Sequence, residues 1–91
     1  MSWTRAPEAQ QWQVEFGTRL RELRKVRGWS QMELANAADL DPTYVSSVEQ
    51  GRRNIALVNI RVLAQALAVD PADFFHSSTA RREQASRGPA E

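Results

Sequence analysis

Between Ser30 and Gly51 the sequence carries the start and stop signals of two helices, with only Asp39, Leu40 and Asp41 left to join them. Ser30 is followed three residues later by Glu33, the spacing at which a hydroxyl and a carboxylate each accept from the other's otherwise unpaired backbone N–H. This capping box predicts a helix over Gln31 to Ala38, with Leu34, Ala35 and Ala38 facing inward. Asp41 then caps a second helix whose first residue is Pro42, the position where a missing N–H costs nothing. Val45 and Val48 give its buried face, and Gly51 ends it. Two short capped helices with a single apolar face each, joined by so few residues, form an arrangement that can project one helix into a major groove of DNA.

The flanking segments supply the rest of a small core. Trp12, Phe16, Leu20 and Leu23 recur at spacings of four, four and three, which is one face of a helix read as about Gln10 to Arg27. Pro7 fits a first helical turn if that helix starts earlier. Gly28 suits its end, and Arg24, Lys25 and Arg27 suit the negative end of its dipole. Gly17 costs about 1 kcal/mol in mid-helix relative to alanine, so a neighbouring helix is expected to pass close to it. A further helix is predicted from about Leu57 to Ala68, with Leu57, Ile60, Leu63, Ala64 and Leu67 inward. Asp70 and Pro71 open a short fifth one that ends at Phe74 and Phe75. The expected fold is therefore all-α, a compact five-helix domain over residues 10–76, after an N-terminal extension over 1–9. The polar run at 77–91 reads as a disordered tail.

At 91 residues the chain accommodates one domain, and a domain of this size buries only about 60 to 65% of its unfolded surface. No stretch approaches the roughly 20 apolar residues of a membrane span, the start lacks the apolar core of a signal peptide, and cysteine is absent. A cytoplasmic protein without membrane contact is expected. The formal charge is only +1, so any nucleic-acid contact must come from local clusters. Arg5, Arg19, Arg21, Arg24, Lys25 and Arg27 form one, and Arg52 with Arg53 another. The inventory for catalysis is poor: the single histidine, His76, reads as inert, and no nucleophile–base set, metal-spaced cluster or phosphate loop is visible. Neither enzymatic activity nor a cofactor is expected.

The stretch FGTRLRELRKVRGWSQMELANAADLDPTYVSSVEQGRRN, together with the following helix, resembles the Cro/repressor (XRE-type) helix-turn-helix family over roughly residues 14 to 75. Within that family the run LDPTYVSSVEQGRRN is most similar to the controller proteins of restriction-modification systems. The resemblance implies a lambda-repressor-like fold, and it implies roles position by position. Gln31 matches the glutamine that holds a phosphate at the start of the first motif helix, where the helix dipole assists. Pro42, Thr43, Ser46 and Ser47 match the positions that reach base edges, with Thr43 and Ser47 the leading readers. Tyr44 matches a tyrosine that controller proteins place against DNA. Hydroxyls bond several bases, so such readout is permissive, and Pro42 stands where controllers usually carry a basic residue, which leaves a larger share to DNA shape. Arg52, Arg53 and Asn54 match the loop that grips the backbone or minor groove, Arg53 and Asn54 best. Arg24 and Glu49 match a family ion pair joining the first helix to the end of the recognition helix, and Trp29, Leu40, Val45 and Val48 match core positions. The plainer alternative is that the hydroxyls and arginines form ordinary solvated surface.

The function expected is a sequence-specific double-stranded-DNA-binding regulator of transcription, with RNA polymerase a candidate partner. A restriction-modification controller, an antitoxin-type regulator and a phage-type repressor all fit. A protein-interaction module that kept the fold and lost DNA binding is the alternative of a different class. Val58 and Val62 lie beside the inward stripe of their helix, and with Val69 and Phe75 they make a second apolar surface that a monomer would expose. A homodimer on a palindromic operator is therefore expected, with Val58, Val62 and Phe75 at the contact.

Overall fold

The computed structural model describes residues 7–76, which form helices α1 (Pro7–Val26), α2 (Gln31–Ala38), α3 (Pro42–Glu49) and α4 (Leu57–Leu67), then a 3-10 helix at Pro71–Phe75. No strand occurs among the described residues. The local signals act as expected. Ser30 Oγ accepts from Glu33 N at 3.0 Å while Glu33 Oε1 accepts from Ser30 N at 2.7 Å. Asp41 Oδ1 accepts from Thr43 N at 2.7 Å, and Pro42 holds the first position of α3. Asp39 stops α2 in the left-handed conformation, φ 58°, which a short polar side chain tolerates better than most.

The core consists of Phe16 and Leu20 from α1, Leu34, Ala35 and Ala38 from α2, Val45 and Val48 from α3, Leu63, Ala64 and Leu67 from α4, and Phe74. Full burial of a leucine or phenylalanine contributes about 1.5 to 3 kcal/mol, so Leu20, Leu34, Leu63, Leu67 and Phe74 carry much of the stability. Leu23, Trp29 and Leu40 pack against this cluster from its margin. Phe16 and Phe74 bring their ring centroids within 5.0 Å. Two arginines tie the C-terminal elements to α1: Arg19 Nε donates to Asp73 O at 2.7 Å, and Arg27 Nη1 donates to Leu67 O at 3.2 Å.

Four expectations need correction. Helix α1 begins at Pro7, three residues before Gln10, so its first turns run past the core, and Trp12, on the apolar face of that helix, stands 63% exposed. Leu57 opens α4 and is 75% exposed, because the inward stripe takes effect only from Ile60 onward. Helix α4 stops at Leu67, with Ala68 in the left-handed conformation as its cap. The fifth element is a single 3-10 turn rather than an α-helix. The expected extension at 1–9 lies outside the described residues up to residue 6, as does the whole of the tail at 77–91.

Candidate nucleic-acid interface

Helices α2 and α3 pack on each other and on the core, and the remaining face of α3 is turned outward. Along it, Thr43 is exposed and Pro42, Ser46 and Ser47 are half-buried. These four are brought onto one face by the helical repeat, but they differ in what they can offer a ligand. Thr43 has no side-chain hydrogen bond within the described residues, so its hydroxyl is free to donate and accept. Ser47 Oγ donates to Thr43 O at 2.9 Å, which occupies its proton and leaves its lone pairs as acceptors. Ser46 Oγ accepts from Gln50 Nε2 at 3.1 Å and keeps its proton to give. Pro42 has no N–H and presents only its ring.

Tyr44 is half-buried against the core cluster, and its hydroxyl accepts from Asn59 Nδ2 at 3.0 Å. The hydroxyl therefore has a fixed position and still holds its own proton. Asn59 on α4 is the residue that sequence reasoning missed here, since the two positions are joined only through the tertiary fold. Past the end of α3, Gly51 is buried at φ 77° beneath Val14 of α1, and a Cβ there would meet Val14 Cγ2 at 2.7 Å. This turn sends Arg52, Arg53 and Asn54 out into solvent. Arg53 lies 5.3 Å from the Tyr44 ring centroid, a cation–π contact that ties the loop to α3.

Gln31, at the first position of α2, is half-buried, and its Nε2 donates to Glu49 Oε1 at 2.9 Å. An amide nitrogen carries two protons, so the second remains for a ligand while the first fixes the group's orientation. Glu49 is the hub of this arrangement. Its side chain is fully buried and takes a two-pronged grip from Arg24, Nε to Oε2 at 2.6 Å and Nη2 to Oε1 at 2.9 Å, with Arg21 Nε 3.6 Å from Oε1. Arg24 Nη1 also donates to Trp29 O at 2.7 Å. The family ion pair expected between Arg24 and Glu49 is thus present, and it extends one bond further, to Gln31.

Burial by itself raises the Glu49 pKa, but the hydrogen bonds from Arg24 and Gln31 and the charges of Arg24 and Arg21 outweigh it, leaving the carboxyl below its ordinary value. Arg24 moves up, chiefly through its hydrogen bonds to Glu49. A carboxyl with a depressed folded-state pKa contributes its stability above the unfolded-state value and loses it as pH falls through the folded-state value. Melting temperature is therefore expected to hold near neutral pH and to drop below the ordinary carboxylate range. Thermal scans of Glu49→Gln beside wild type check this: the variant's acid limb should be the shallower.

The helix-turn-helix domain family matches residues 15–76 of this sequence. The chain belongs to that family. A hypothetical transcription factor from Neisseria meningitidis serogroup B is 48% identical over 63 residues, a stretch covering 69% of this chain and 59% of that protein. Control protein C.BamHI from Bacillus amyloliquefaciens is 40% identical over 65 residues, covering 70% of this chain and 80% of that one. Among solved structures, the restriction-modification controller protein C.AhdI from Aeromonas hydrophila superposes with a TM-score of 0.68 at 52% identity, over 69% of this chain and 96% of the other. The resemblance to controller proteins read from the LDPTYVSSVEQGRRN run is borne out, and so is the all-helical helix-turn-helix class.

Proposed function

We propose that this protein is a sequence-specific regulator of transcription that binds double-stranded DNA as a homodimer and controls the genes of a restriction-modification system. The observation that carries the reading is the composition of one surface: the outward face of α3, with Thr43, Ser46 and Ser47, is bracketed by Gln31 and by the Arg52–Asn54 loop. That pattern matches a recognition helix held between two phosphate contacts. Thr43 and Ser47 read base edges, and the acceptor character of Ser47 suits the amino groups of adenine or cytosine. Gln31, Tyr44 and Arg53 position the helix on the backbone, assisted by Arg52 and Asn54. Pro42 packs against the groove without donating. The protein acts in the cytoplasm as a binding protein and not as an enzyme, and contact with RNA polymerase at the operator belongs to the same reading.

Selection of bound sequences from a random pool, followed by mobility shift on the winning site, tests the proposal. Recovery of no site, or binding that ignores salt, refutes it. Two substitutions separate the roles. Thr43→Ala is expected to lower affinity for the selected site by about 1 to 3 kcal/mol and to leave non-specific DNA almost unaffected, because base contacts discriminate and phosphate contacts do not. Arg53→Ala should weaken both and reduce the salt slope by about 1 per bound subunit.

Assembly rests on an apolar surface that a lone domain leaves in water. Val58 is 69% and Phe75 64% exposed, and the exposed Leu57 adds to them, while Val62 is half-buried against the core and contributes an edge. Exposed apolar groups of this size on one small domain favour a two-fold partner. Val58→Glu is expected to convert dimer to monomer in sedimentation at micromolar concentration, without loss of helicity, since Val58 supports no core contact. A dimeric glutamate variant would place the interface elsewhere.

A further inference from the structure

Beside the proposed DNA surface lies a cavity of about 340 Å³, walled by Trp12 and Phe16 of α1, Ile55 and Ile60 on either side of the start of α4, and Phe75. It is open to solvent, and Arg53, Asn54 and Gln13 also enter its lining. The size falls within the range of small-ligand pockets, and so does the chemistry: apolar and aromatic walls with few polar groups. No carboxylate lines it. Arg53 has no acidic partner among the described residues, and its guanidinium lies 5.3 Å from the centroid of the Tyr44 ring, whose hydroxyl Asn59 in turn fixes. Trp12 faces this cavity instead of the core, which accounts for a large apolar side chain left so exposed.

We propose that the cavity is a binding site for a small hydrophobic carboxylic acid, with its tail among Trp12, Phe16, Ile60 and Phe75 and its carboxylate on Arg53. Charge complementarity selects this occupant: a cation in the lining of an otherwise apolar, carboxylate-free cleft pairs with an anionic head on an apolar body. The consequence for regulation rests on the reading of Arg53 as a phosphate contact. A carboxylate held on this guanidinium neutralises its charge and competes with a DNA phosphate for its donors, so the acid lowers DNA affinity.

Sodium octanoate is the probe and 1-octanol its uncharged control. With the full chain labelled for amide and indole NMR, octanoate is expected to shift the Trp12 indole N–H saturably. The Trp29 indole, packed 4.4 Å from Arg27 outside this cavity, should stay in place. Arg53→Ala, an exposed loop substitution, should weaken octanoate about tenfold and leave 1-octanol unchanged. Absence of saturable shifts at millimolar octanoate overturns the site, and equal affinity for acid and alcohol overturns the role of Arg53. Octanoate that binds the monomeric Val58→Glu variant but not the wild-type dimer assigns the cavity to a second copy of the chain and overturns the site likewise. Mobility shift on the selected operator with and without octanoate reads the coupling. A protein that binds octanoate but no DNA at all keeps the acid site and sinks the regulator reading instead.

Discussion

Glu49→Ala is expected to remove most of the stability of the domain. The substitution removes the acceptor for both prongs of Arg24 and for Gln31, and Arg24 is itself buried, so its charge would remain in the interior without a counter-ion. Breaking one side of a buried pair costs about 3 to 5 kcal/mol, whereas a domain holds about 5 to 15 kcal/mol in total and one this small lies toward the low end. Urea denaturation followed by circular dichroism checks the size of the loss. The double variant Arg24→Met with Glu49→Leu provides the complementary measurement. It should be more stable than Glu49→Ala alone, because the cost lies in the orphaned charge more than in the lost pair. It should also bind DNA more weakly than wild type, since Gln31 then loses the bond that orients its amide.

The second large effect is expected at Gly17, where two rules give opposite signs. Helix propensity taken alone favours Gly17→Ala by about 1 kcal/mol, the value for a mid-helix glycine in open solvent. Packing opposes it. A Cβ at Gly17 would collide with Val48 O and lie 2.7 Å from Glu49 O, and both are backbone atoms at the end of α3 that no rotamer change can move away. Overpacking costs about 1 to 3 kcal/mol when side chains can adjust, and a clash against helix carbonyls belongs at or beyond the upper end. A net loss of about 2 kcal/mol or more is expected. A mere shift of the melting temperature upward would show that α3 can retreat. Since the recognition helix is the element that must move, any folded Gly17→Ala protein should also show reduced operator affinity.

The sequence made Gly17 legible as a point of close approach but not as a contact with α3. An internal glycine is a local cost that demands a reason, and the reason is always a neighbour, whose identity depends on how the helices cross. The same division runs through the site. The starts of α2 and α3 could be read from Ser30, Glu33, Asp41 and Pro42 because N-caps are bonds between residues two or three apart. The outward face of α3 followed from the helical repeat. The phosphate and base roles proposed for Gln31, Thr43, Tyr44, Ser46, Ser47 and Arg53 rest on the family resemblance, and the matched family covers the motif that holds them.

What periodicity could not decide was how far the core reaches along a helix. Leu57 continues the apolar stripe of α4, so the pattern assigned it inward, yet it lies before the point where another element arrives to cover it, and Trp12 on the apolar face of α1 is likewise exposed. Hydrophobic spacing reports which side of a helix is apolar and not where its neighbour ends. Bonds across long sequence separations were equally illegible: Gln31 to Glu49, Asn59 to Tyr44 and Arg19 to Asp73 all depend on helices meeting at one depth and angle. Short-range hydrogen bonding and the 3.6-residue repeat act along the chain and are therefore written in it. The cavity, the buried hub at Glu49 and the exposed apolar surface arise where separate elements meet, and only the packed structure places them.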